Sequence, residues 1–143
     1  MNLQKLALIL VFSITCCTSK QKHSRILKPN VFIDYIGTYY TPNKKISIRE
    51  FKNQSLTFAI SDKRNNLLYQ YSILKSFSKY QFWTFYWDDQ ERLWFYNSDS
   101  PEHLCILKDS TSKMYKAVDF CSKKMVAPKA FSELMEDYVD CIN

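Results

Sequence analysis

Residues Gln81 to Asn97 read Gln-Phe-Trp-Thr-Phe-Tyr-Trp-Asp-Asp-Gln-Glu-Arg-Leu-Trp-Phe-Tyr-Asn and hold all three tryptophans of the chain. Two aromatic runs around the polar tetrad Asp88, Asp89, Gln90 and Glu91 predict two antiparallel strands joined by a tight connection. With an even-numbered loop, Trp87 faces Arg92, Phe85 faces Trp94 and Trp83 faces Tyr96, while Phe82, Tyr86, Leu93 and Phe95 take the other face. An odd loop regroups them. Either way both faces stay largely apolar, and a sheet with no polar face must be covered on both sides. The stretch is therefore read as the central pair of a β-rich domain.

The neighbouring segments alternate with period two, as strands do. Val31, Ile33 and Tyr35 alternate ahead of Gly37, the only glycine, within a strand spanning Val31 to Thr41. Ile46 and Ile48, then Leu56, Phe58 and Ile60, then Leu67, Tyr69, Tyr71 and Ile73 mark three more strands, separated by polar turns. After the hairpin, Leu104 to Leu107 and Met114 to Phe120 complete about eight short strands, the pattern of a small antiparallel barrel or sandwich. From Pro128, the residues Phe131, Leu134, Met135, Tyr138 and Val139 recur at helical steps, predicting a helix over 128–139. So short a helix does not persist alone. Its expected place is the spare face of the aromatic hairpin or the open end of a barrel.

The start of the chain carries an address. Lys5 precedes the apolar run Leu6 to Ile14, long enough for a signal sequence and too short to span a bilayer. The run ends at Ser13-Ile14-Thr15-Cys16-Cys17, which resembles the lipobox of bacterial lipoproteins. Ile14 fills the aliphatic position if Cys17 is the modified cysteine, with Cys16 standing where a small residue is usual; Cys16 is the alternative site. The resemblance implies a signal peptide over 1–17, a palmitate-bearing anchor and a place in the bacterial cell envelope, with the outer membrane ranked above the inner. Residues 18–29, with Lys20, Lys22, Arg25 and Lys28, are then read as a basic flexible tether, and 30–143 as one domain.

The formal charge of +6 falls to +5 once Lys5 leaves with the signal. An exported chain meets little nucleic acid, so anionic lipid is the simpler match for these charges, and no nucleic-acid partner is expected. With Cys17 acylated, three thiols remain. Outside the cytoplasm a bridge is permitted, and Cys121 with Cys141 is the favoured pair, because it would pin the helix to the sheet. Cys105 is then a buried apolar residue.

Several chemistries lack their residues. One glycine excludes a phosphate-cradling loop, a dinucleotide fingerprint and a nucleophile elbow. No metal site and no cofactor are expected, since the cysteines lack paired spacing. His103 and Cys105 fall on one face of a strand but about 7 Å apart, long for proton transfer. The tip acids Asp88, Asp89 and Glu91 lie on the order of 17 Å from Asp99 and Glu102, too far for a glycosidase pair.

What remains is binding. Trp83, Tyr86, Trp87, Trp94 and Tyr96 are the candidate residues for a partner or ligand, weighed against a role in the core. The architecture is similar, in strand count and spacing alone, to lipocalin-like and lysozyme-inhibitor-like envelope lipoproteins. The leading expectation is a non-catalytic lipoprotein that binds a protein partner as inhibitor, immunity factor or assembly component. A carrier of a small apolar ligand comes second, and a thiol enzyme using His103 and Cys105 third.

Overall fold

Eleven strands form two sheets in the computed structural model, which describes residues 24–99 and 102–142. The signal segment, Cys16, Cys17 and residues 18–23 of the expected tether lie outside them. In chain order the strands are β1 (Ser24–Ile26), β2 (Val31–Ile33), β3 (Gly37–Tyr40), β4 (Lys44–Lys52), β5 (Ser55–Asp62) and β6 (Leu67–Gln70). They continue with β7 (Phe77–Ser78), β8 (Trp83–Trp87), β9 (Leu93–Asn97), β10 (Leu104–Lys108) and β11 (Tyr115–Asp119). The first sheet runs β1-β3-β4-β5-β6, with β7 also paired to β5; the second runs β11-β10-β9-β8-β2. The architecture is a sandwich rather than a closed barrel.

Three departures from the expected strands have local causes. The segment Val31 to Thr41 is two strands, because the chain leaves the second sheet after Ile33 and enters the first at Gly37. Tyr35, in the crossing, is exposed instead of sharing the interior with Ile33. Within the stretch expected to be tether, Ser24–Ile26 pairs in parallel with β3, and Leu27 is buried. The domain thus begins before residue 30. Finally, β6 stops at Gln70 and a turn of 3-10 helix, Ile73–Lys75, precedes β7.

The central hairpin is apolar on both faces, but its register is odd. Phe85 lies opposite Phe95, Tyr86 opposite Trp94 and Trp87 opposite Leu93. Trp83, Phe85, Trp87, Leu93 and Phe95 therefore point between the sheets, into a core shared with Ile46, Phe58, Ile60 and Tyr71. The rings of Phe85 and Phe95 stack at 4.5 Å, and Phe58 meets both within 5.2 Å. Tyr86, Trp94 and Tyr96 point outward with Cys105, into a second cluster closed by Phe120, Phe131, Met135 and Val139.

That outer cover is the C-terminal helix α1 (Lys129–Met135), shorter than the 128–139 expected. Phe131, Met135 and Val139 face the sheet at four-residue steps, while Leu134 and Tyr138 are exposed. Past Met135 the chain turns and Cys141 joins Cys121 in a disulfide, Cα to Cα 5.4 Å. A bridge closing so modest a loop contributes about 3 kcal/mol by the loop-entropy account. Cys141→Ser is expected to lower stability by about that amount in urea unfolding. A loss below about 0.5 kcal/mol would show that packing alone holds the outer layer.

Candidate functional site

The loop that sets the hairpin's odd register is built on Asp88. Its N–H donates to the carbonyl of Arg92 at 3.1 Å, and its carbonyl accepts from Glu91 at 3.3 Å. This leaves Asp89, Gln90 and Glu91 as a three-residue loop. Glu91 is left-handed, φ 56°, the place glycine fills in loops of this kind. The Asp88 carboxylate is buried and fully engaged. One oxygen accepts the Gln90 and Arg92 N–H groups, each at 2.9 Å; the other accepts Arg92 Nε at 2.6 Å and Trp94 Nε1 at 2.8 Å. Both oxygens of Asp88 are thus taken by N–H donors. Among the described residues no cluster of three His, Cys, Asp or Glu side chains is placed to hold a metal.

The β5–β6 turn repeats the device. Asp62 accepts the N–H groups of Arg64 at 2.8 Å and Asn66 at 2.9 Å, and Asn65 is left-handed at φ 65°. The Asn66 amide bonding to it, with the two N–H groups, holds its pKa below the ordinary value. Asp109 is held at about 2 by the Thr111 N–H, the Thr111 hydroxyl and Lys116. Folded values below the unfolded one, near 3.9, mean stabilisation that is complete above about pH 4 and lost as pH falls towards 2. Acid unfolding of Asp109→Asn is expected to be flatter over that window than that of the parent. Parallel profiles would remove Asp109 from the account.

Both tight turns lie at one end of the sandwich, the tip, and Lys44 pairs with Glu91 there at 3.8 Å. An open groove of about 630 Å³ beside them is lined by Asn30, Tyr86, Asp89, Gln90, Arg92 and the segment Met125 to Ala130. Val126 in that segment is 88% exposed and adds apolar area at the groove. Arg92 is held in place by Asp88, with its guanidinium 5.0 Å from the Trp94 ring.

The opposite end, the base, holds a second cleft of about 670 Å³, lined by Asp34, Tyr35, Ile36 and Lys79 to Trp83. Tyr35 and Tyr80 are 56% and 71% exposed there. Phe82 is partly covered by Tyr138, whose ring lies 5.4 Å away, and Lys79 pairs with Glu50 at 3.2 Å. A third cleft, at the edge between β6 and β11, contains Tyr69, Tyr71, Lys75 and Glu102. Burial, reinforced by the charge of Glu102, raises Tyr69 to about 12. Lys75 pairs with Glu102 at its rim.

The five candidate aromatics are not brought to one site. Trp87 and Trp94, 2% and 0% exposed, are core. Trp83 is buried with one edge on the base cleft, Tyr86 lines the tip groove, and Tyr96 packs against Tyr138 and Phe82. His103 packs on Phe120 at 5.6 Å, while Cys105 is enclosed, its thiol pushed up to about 12 by burial. Such a thiol is protonated at neutral pH and a poor nucleophile.

No protein-family model matches the chain, and it has no significant similarity to a curated protein or a solved structure. The residues themselves carry the functional reading. Tyr35, Tyr80 and Val126 are exposed side chains at these clefts that the sequence did not single out. Tyr35 was hidden by the alternation it shares with Val31 and Ile33, whereas Tyr80 and Val126 lie in stretches without alternation.

Proposed function

We propose that the protein is a non-catalytic lipoprotein of the bacterial envelope that binds a protein partner, in an inhibitory, immunity or assembly role, through the tip groove. The observation that carries this reading is the groove's composition. A solvent-facing Val126 stands near an Arg92 already fixed by Asp88, with the buried Tyr86 in the groove wall, which joins apolar area to one residue type favoured as an interface anchor. Little side-chain freedom remains to be lost there on binding. The packing of Trp87 and Trp94 and the enclosed Cys105 give the carrier and thiol-enzyme readings less support.

The experiment is affinity capture of the tagged chain from its own envelope, with mass spectrometry of bound proteins and lipids. The parent is expected to recover one stoichiometric protein, and Val126→Asp to reduce recovery at least about tenfold with an unchanged melting temperature. Equal recovery by Val126→Asp would remove the groove from the reading. A small molecule recovered without any protein would put the carrier function first.

A further inference from the structure

The parallel pairing of β1 with β3 fixes where the chain enters the domain. Ser24 lies beside Thr38, so the N-terminal end of β1 opens at the base, next to Ile36 and the cleft. The Arg25 guanidinium, one residue on, lies 5.4 Å from the Tyr35 ring. Six residues separate Cys17 from Ser24. Fully extended, that link reaches at most about 25 Å. A lipid on Cys17 would therefore tether the domain from its base.

The base is also where most of the uncovered aromatic side chains gather, Tyr40 near the tip being 44% exposed. Tyr35, Ile36, Tyr80 and Phe82 are exposed around one cleft, and Tyr138 extends the patch from the C-terminal segment. Tyrosine suits the boundary between head groups and acyl chains, where its ring is buried and its hydroxyl stays wet. Lys79 is occupied by Glu50, so aromatic burial rather than lysine charge would supply the contact.

We propose that the base of the sandwich rests on the bilayer that holds the anchor, with Tyr35, Tyr80 and Phe82 in the head-group layer. This rests on the lipoprotein reading. It gives the domain one orientation, with the tip groove turned away from the lipid. The anchor limits how far the domain can travel; the aromatic patch decides which way it faces.

The test uses the acylated full chain in vesicles of phosphatidylethanolamine and phosphatidylglycerol, carrying a nitroxide at Tyr80→Cys or, at the tip, at Arg64→Cys. Cys105 is buried and Cys121 is bridged to Cys141, so the new thiol takes the label. The ratio of collisions with oxygen to collisions with a water-soluble nickel chelate is expected to be about fivefold higher at position 80 than at position 64. Equal, aqueous ratios at both positions would overturn the proposal. A label at position 80 shielded from both reagents would overturn it too, since that reports burial against protein. Palmitate incorporation, lost in Cys17→Ser, is scored separately. Incorporation with an aqueous label at position 80 sinks the bilayer contact alone, whereas no incorporation sinks the anchor and the orientation with it.

Discussion

Replacing Asp88 with alanine is expected to cost about 3 to 5 kcal/mol, because it strands a partly buried guanidinium and three further donors at once. The carboxylate serves Gln90, Arg92 and Trp94 from a position 1% exposed, and among the described residues it is the acceptor of the Trp94 indole N–H. Asp88→Asn separates two components of the loss. Its amide oxygen can still take the two backbone N–H groups, but its amide nitrogen then faces Arg92 Nε and Trp94 Nε1 as donor against donor. The asparagine variant should fall between parent and alanine. Asp62→Ala removes the same turn geometry at an exposed site and should cost much less. Urea unfolding of the three variants checks the ranking. If Asp88→Ala lost under about 1 kcal/mol, water would be replacing the carboxylate and the buried-network account would fail.

Phe131→Ala is expected to cost about 3 to 5 kcal/mol as a cavity in the outer layer. Its ring is fully buried and meets Trp94 at 5.8 Å, Phe120 at 6.0 Å and Tyr86 at 6.2 Å. The helix has only seven residues, and Phe131 and Met135 are the ones it buries. Intrinsic helix propensity cannot hold it, so docking must. The damage should be local, with faster hydrogen exchange in α1 and a red shift of Trp94 emission while the amides of β4 and β5 keep their protection. It should also exceed its own size once the disulfide is removed, because the ring and the bridge tie down the same segment. Strictly additive losses in the double variant would show that the two act independently.

The period-two stripes made most of the strands legible, and the two-faced hairpin required two covers, which the facing sheet and the C-terminal helix supply. Three features were hidden, each for a physical reason. The odd loop depends on one aspartate bonding two and four residues ahead, which no propensity encodes. Its only hint was the similar run Asp62-Lys63-Arg64-Asn65-Asn66, where asparagine takes the left-handed position that glutamate fills in the hairpin. The crossing at Asp34–Ile36 was invisible because Val31, Ile33 and Tyr35 keep their alternation while the chain changes sheets. The helix looked longer because Leu134 and Tyr138 continue the apolar spacing, although Leu134 faces out from α1 and the chain turns after Met135, ahead of Tyr138. At the candidate sites the pull of the tryptophans misled. Residues that look made for binding were spent on packing, and the accessible ones sat in connections between strands.

The crossing also orders assembly. Most hydrogen-bonded neighbours are joined by short turns, but Val31 pairs with Trp87, more than a third of the chain away. A nascent chain that ends before β8 has nothing for β2 to pair with, and a long closure of this kind is entropically slow. The strand made near the beginning is therefore seated only after the aromatic hairpin exists. Until then β2 is unpaired and the edge of the second sheet stays incomplete, so the chain remains open at this crossing.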